Sequence, residues 1–168
     1  VALETTPPSQ QSDGFFRLTF VPSGNNLSVA ILAGGTAKDI TYSLTPSGWN
    51  RNQTENVISD GRLTNVQVLN RPGTFTEQIT IQYVITDGSA TDIAYTAFGG
   101  ANGLVSGFLT ARYGVANATA WTIGQKVDSF TFTSGKALRD APTANGLQTV
   151  TQVLYITAPT LKDQALVA

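Results

Sequence analysis

Residues 75–85, FTEQITIQYVI, place Phe75, Ile79, Ile81, Tyr83 and Ile85 on one parity, and Thr76, Gln78, Thr80 and Gln82 on the other. A period of two is the pattern of a strand with one buried face and one wet face; a helix would scatter the same residues around its axis. The alternation recurs in FFRLTFV (15–21), LTNVQVL (63–69), LVSGFLTARY (104–113) and LQTVTQVLYIT (147–157). It is also clean in DITYSLT (39–45), where Ile40, Tyr42 and Leu44 oppose Thr41, Ser43 and Thr45. QKVDSFTFT (125–133) keeps it only with a bulge near Asp128-Ser129, because Lys126 and Asp128 share parity with Phe130 and Phe132. Pro22–Asn26, Asn70-Arg71-Pro72-Gly73 and Asp87-Gly88 read as turns between these runs. The pattern predicts about eight or nine strands in a mainly β fold, a β-sandwich or barrel-like domain.

The remaining segments are expected as follows. Residues 1–14, with a Pro pair and few apolar anchors, read as an extended arm, and 158–168 as a C-terminal tail whose apolar end docks on something. LSVAILA (27–33) is an apolar run closed by Gly34-Gly35. Residues 46–62 read as a long polar loop with a short strand at Thr54–Ser59, and 134–146 as a second long loop. TDIAYTAF (91–98) fits helix or strand equally. ANATAWTIGQKVD (116–128) is expected to hold one short helix, capped by Asn117 and ended by Gly124, with Ala118 and Trp121 on one side. So short a helix needs tertiary packing, and Trp121 is its anchor. The expectation is one or two short helices flanking the strands, within a single domain spanning 1–168.

Composition narrows the function classes. The chain has no cysteine and no histidine, which excludes disulfides, thiolate catalysis and most transition-metal sites, and removes the commonest general base. No catalytic constellation, cofactor motif or metal-ligand set emerges. Asp87 and Asp92 are the nearest carboxylate pair and read as turn aspartates, and AFGGANG (97–103) lacks a phosphate-loop signature and reads as a hinge. A net charge of −1 without basic runs argues against a stable nucleic-acid grip. No apolar run is long enough to cross a bilayer as a helix, and the first twenty residues lack a signal-peptide pattern. Val1 reads as the product of initiator removal or of trimming. Charged residues are only 12% of the chain, against about 25% in typical soluble domains. Strand-rich surfaces usually carry charge to keep their edges apart, whereas protein interfaces are depleted in it, so the composition favours self-assembly.

The succession from residue 39 onward resembles the major tail, or tail tube, proteins of long-tailed bacteriophages of the siphophage type, particularly those of actinobacterial phages. The pieces that carry the resemblance are DITYSLTPSGWNRNQTENVISDGRLTNVQVLNRPG, TEQITIQYV, AWTIGQKVDSFTFTSG and LQTVTQVLYITAP. It implies a non-enzymatic virion protein that forms hexameric rings stacked into a tube, through which genomic DNA passes without specific binding. It also implies assembly in the host cytoplasm, with tape measure, distal tail and tail terminator proteins as partners and no cofactor. On that reading the 46–62 segment stacks rings, with Trp49, Asn50, Arg51 and Arg62 as inter-subunit contacts. The alternative is an immunoglobulin-like fibre, capsid-decoration or carbohydrate-binding module, in which Trp49 stacks on a sugar.

Overall fold

The alternating segments at 15–21, 75–85, 104–113, 125–133 and 147–157 form strands over most of their length, whereas Val66–Val68 of the expected 63–69 strand do not. In the computed structural model, which describes residues 9, 12–62, 66–100 and 102–168, nine strands and two short helices follow one another. They are β1 (Phe16–Val21), α1 (Val29–Leu32), β2 (Lys38–Asp39), β3 (Leu44–Asp60), β4 (Leu69–Val84), α2 (Ile93–Ala97), β5 (Ser106–Tyr113), β6 (Lys126–Ser134), β7 (Leu138–Arg139), β8 (Thr149–Ile156) and β9 (Leu161–Ala165). The fold is mainly β, with antiparallel pairing between these strands. The residues fall into two compact units. One contains the described residues up to Tyr42 with Ser106–Thr131 and Ala158–Ala168; the other contains Ser43–Val105 and Phe132–Thr157.

In the first unit β1 pairs with β2 on one side and β5 on the other, from Phe16↔Tyr113 to Val21↔Phe108. β9 pairs with β6, with a register shift between Val127 and Ser129 around Asp128. Val21, Leu32, Trp121, Val127 and Leu166 form a buried apolar cluster. The C-terminal tail docks on its own unit: Leu166 is buried, Val167 N–H donates to the Leu27 carbonyl, and the Val29 N–H donates to the Val167 carbonyl.

No helix forms between Ala116 and Gly124, although one was expected there; the segment is a series of turns. The reason is Arg112. Its side chain is fully buried, and its guanidinium takes the carbonyls that a helix would have used internally. Nη2 donates to Ala116 O and Thr119 O at 2.9 Å each, and Nη1 donates to Ala120 O at 3.3 Å and Gln125 Oε1 at 3.0 Å. Asn117 does not cap; its N–H donates to Gly14 O, and its buried Oδ1 has no hydrogen-bond partner. Gly124 has a positive φ of 84°, but in a turn whose N–H donates to Leu166 O. Trp121 is buried with two guanidinium groups near its ring, Arg17 at 4.9 Å and Arg112 at 4.6 Å from the ring centre. Arg17 is held in turn by Asp39 at 2.7 Å and by Thr119 O at 3.1 Å. Burial, and then Arg17, lower the Arg112 pKa, with Asp39 opposing; a guanidinium remains a cation regardless.

In the second unit β4 lies between β3 and β8, and Ile79, Ile81 and Tyr83 pair with Leu154, Gln152 and Val150. Those β4 residues are buried with Ile85, Val150, Leu154, Phe98 and Phe132. Phe98 lies between Tyr83 and Phe132, with ring centres 6.0 and 5.7 Å away. Buried Gln152 is satisfied by Tyr83 Oη, which donates to its Oε1, and by the carbonyls of Phe98 and Gly135. The ambiguous 91–98 segment resolves as helix α2.

Three further expectations are corrected, and one open segment resolves. DITYSLT is not one strand: Ile40 is buried, but Thr41–Ser43 make a 3-10 turn that exposes Tyr42, because Thr41 N–H and Oγ1 both bond the Asp39 carboxylate. LSVAILA, an apolar run with no element assigned to it, supplies α1, with the Val29 N–H tied to the tail. The 46–62 loop is strand: β3 runs unbroken from Leu44 to Asp60 against β4. Asn70–Gly73 is no turn but part of β4, where Pro72 faces Val57 across the ladder. Among the described residues that half of β4 has no strand on its other side, so a residue without an N–H is tolerated there. The arm at 1–14 lies mostly outside the described residues, as do Leu63–Asn65 of the expected 63–69 strand.

Candidate assembly surface

The distinguishing feature of the second unit is the length of the β3–β4 hairpin relative to its support. β8 pairs with β4 only from Gln78 to Val84. Beyond Gln78, β3 and β4 continue as a two-stranded ribbon, through Gln53↔Glu77, Thr54↔Thr76 and Glu55↔Phe75 to Asp60↔Leu69. Every β3 residue from Asn52 to Ser59 is exposed, as are Leu69–Pro72 and Thr74–Thr76 of β4. Val57, Ile58, Leu69 and Phe75 are among them, Phe75 at 59%. Val66 and Val68, in the connection between the strands, are exposed too. A two-stranded ribbon with both faces in water is marginal alone, because neither face buries an apolar layer. It is stable at its root and uncovered beyond it.

The root is built carefully. Four residues, Thr45–Gly48, bulge from β3 opposite the single residue Gln82, since Leu44 pairs with Tyr83 and Trp49 with Ile81. Gly48 lies so close to the Gln82 carbonyl oxygen that a β-carbon would overlap it. Arg51 then grips Glu77 across the ladder, with Nη2 at 2.6 Å and Nε at 3.1 Å from Oε1. At the far end Asp60 bonds Arg62 at 3.3 Å and Arg71 at 3.5 Å. A second bulge sits between Glu55 and Val57, where Gly73 approaches the Asn56 carbonyl.

Trp49, Asn50 and Arg51 therefore cluster at the root: Trp49 half-buried, Asn50 exposed opposite Thr80, Arg51 in its ion pair. Arg62 lies past the end of β3, which runs nine residues beyond Arg51, or about 30 Å at roughly 3.4 Å per residue. Trp121 belongs to the other unit. The exposed apolar residues of the ribbon were not among the sequence-predicted contacts. Their one signal was the short strand expected at Thr54–Ser59, which contains Val57 and Ile58.

One face of this sheet is polar and nearly uncharged. Asn50↔Thr80, Asn52↔Gln78 and Thr54↔Thr76 share it, continuing through Gln82↔Thr151 and Gln78↔Tyr155. A cavity of about 330 Å³ beside it is lined by Asn52, Thr54, Thr76, Gln78 and Tyr155, with Glu77 and Ile156. Asp140 is muffled by donors: Gln82 Nε2, Thr149 Oγ1 and Thr151 Oγ1 lie 2.7 to 3.0 Å from its oxygens. Burial would raise its pKa; these hydrogen bonds outweigh burial and hold it below the usual value. The Asp87–Asp92 pair is a turn brace, in which Asp92 accepts from the N–H groups of Thr86, Asp87 and Gly88 and Asp87 accepts from Ser89 N–H. Among the described residues no group of three or more His, Cys, Asp or Glu is placed to hold a metal, and no helix is long and apolar enough to cross a membrane.

A mainly β chain with exposed apolar residues along a thin ribbon offers a surface for contact with other chains. The chain belongs to the phage tail tube protein family, whose model matches residues 4–168. It is thus a structural component of a phage tail. Among solved structures it is similar to a chain of the anti-feeding prophage (AFP) baseplate, determined by cryo-EM and 6-fold symmetrised. The TM-score is 0.58 over 96% of this chain and 99% of that one, at 11% identity, a likeness of fold. No curated protein matches it in sequence.

Proposed function

We propose that copies of this chain, its two units acting as one tail-tube domain, assemble into hexameric rings that stack into the tail tube of a siphophage. The carrying observation is the ribbon beyond Gln78, which exposes apolar residues on a hairpin too thin to bury them itself. In a stacked tube it lies against the adjacent ring, with Arg62 and the apolar outer residues in contact and Trp49, Asn50 and Arg51 directing it from the root. The similar chain in a 6-fold symmetrised particle supports the ring order. The uncharged Thr/Asn/Gln face suits a lumen that lets DNA slide, because it offers phosphate no cation to hold. Tape measure, distal tail and tail terminator proteins are the expected partners, with assembly in the host cytoplasm.

The test is truncation at a paired position. Residues 55–75 are replaced by Asn-Gly, which closes the hairpin at Thr54↔Thr76 with a two-residue turn. The truncated protein should keep the melting temperature of the unassembled wild type and form no tubes by negative-stain imaging. Tubes of normal length would refute the stacking role.

A further inference from the structure

The AFGGANG segment is not a free hinge. Gly100 N–H donates to Tyr95 O, Asn102 and Gly103 N–H both to Gly99 O, Leu104 N–H to Ser134 O and Val105 N–H to Ser134 Oγ. Gly99, Gly100 and Gly103 all have positive φ, and β-carbons there would press on Val105, Tyr95 and Gly135. Leu104 follows with φ 59°, a left-handed conformation that glycine or asparagine adopts readily and a branched apolar residue does not. It gains no burial in return: the side chain is 74% exposed. From Ala97 to Gly107 the chain carries no charged residue, although the backbone of exposed Lys136 lies beside Gly103. A strained backbone that displays an exposed leucine makes sense when the leucine has somewhere to go.

We propose that Leu104 is a preset contact residue that inserts into a second copy of this chain. The inference rests on reading the chain as a self-assembling tube protein; the uncharged, apolar composition of the segment is that of an interface core. Fixing the backbone beforehand removes its share of the ordering cost from each addition to the growing assembly.

Two substitutions test it. Leu104→Asn keeps a residue at ease with positive φ and removes the apolar group, whereas Leu104→Met keeps the apolar group. Melting of the unassembled protein and sedimentation of the assembled one are measured for each, with an initiating tail component present. L104N should melt at or above the wild-type temperature yet require about tenfold or more concentration to assemble, the effect of withdrawing one buried leucine; L104M should assemble nearly as wild type does. L104N assembling at the wild-type concentration overturns the proposal, as does a loss of melting temperature that matches its loss of assembly. Normal elongation with failed capture of the initiator would assign Leu104 to that partner and overturn the self-contact. A wild-type chain that never assembles would sink the tube reading itself, a distinct result.

Discussion

Removing the Arg112 guanidinium should cost more than any other single polar change among the described residues of the first unit. Arg112→Met preserves length and roughly the volume in a site with no exposure, but takes the charged donor away from the carbonyls of Ala116, Thr119 and Ala120 and from the Gln125 oxygen, leaving them only Thr119 N–H, Arg17, Gln125 Nε2 and Thr122 N–H respectively. A hydrogen bond to a charged group contributes about 1.5–3 kcal/mol net, so the two 2.9 Å bonds alone set a floor near 3 kcal/mol. Relief from burying a cation offsets part of the rest, giving an expected loss of about 3–5 kcal/mol. With a urea slope of about 2 kcal/mol/M, the midpoint should fall by roughly 1.5–2.5 M. Trp121 reports locally, since the guanidinium lies 4.6 Å from its ring; a Trp49→Phe background makes it the sole tryptophan. Its emission should shift to the red in R112M before global unfolding. Arg112→Lys should fall between the two, because an ammonium has three donors and no plane to stack. An R112M protein within about 1 kcal/mol of wild type, or R112K indistinguishable from it, would refute the view that this cation organises residues 114–125.

Gly48→Ala should cost about 1–3 kcal/mol of unfolding free energy, because its methyl group collides with the Gln82 carbonyl and must displace the Thr45–Gly48 bulge; an unchanged midpoint would show that the bulge yields freely. Asp92 and Asp140 both have carboxyl pKa values below the ordinary range, in each case because hydrogen bonds overcome burial. Stability from such groups is complete above the unfolded-state pKa of about 3.9 and is lost as pH falls through the lower folded value. The melting temperature should therefore drop steeply below about pH 4, and the drop should be shallower in the double variant Asp92→Asn, Asp140→Asn; an equal slope would exclude these carboxylates as its source. Tube growth should survive 1 M salt, where screening reaches about 3 Å, and dissolution of tubes at that salt would show that ion pairs hold them.

What could be read from the sequence was what the strand period fixes locally. Ile79, Ile81, Tyr83 and Ile85 alternate because they line a core, and they are buried as the pattern requires. The bulge at Asp128 was legible because the parity of Phe130 and Phe132 fails without one. The helix at 116–124 failed for a reason outside its own residues: Asn, Ala and Gly are sound local signals, but Arg112, in a strand where it reads as a polar interruption, claims the carbonyls. The strand at 46–60 is hidden from the pattern because its low hydrophobicity reads as absence of structure. A ribbon with two wet faces has no apolar alternation to show, and its ladder is set by pairing with β4, which a period cannot reveal. Of the assembly surface, the tryptophan and arginines stood out by residue type; Phe75 stood out as a strand residue but on the expected core face, and its exposure is a tertiary fact.

The charge pattern of the ribbon bears on how identical copies tolerate one another. From Leu44 to Val84 there is no lysine, the residue most used to defend strand edges. The charges present are Arg51, Arg62 and Arg71 against Glu55, Asp60 and Glu77, so they cancel. Arg51 is spent on Glu77, and Arg62 and Arg71 both on Asp60. A monomer gains nothing from leaving a long edge undefended and risks aggregation by it. A homopolymer has the opposite problem, because any net charge on a repeated contact is repeated in every ring and repels its own copies. Internal neutralisation removes that repulsion while the pairs still fix the shape of the ribbon at root and tip. In the proposed tube, specificity then comes from shape, from two bulges and a set of apolar residues placed along the ribbon.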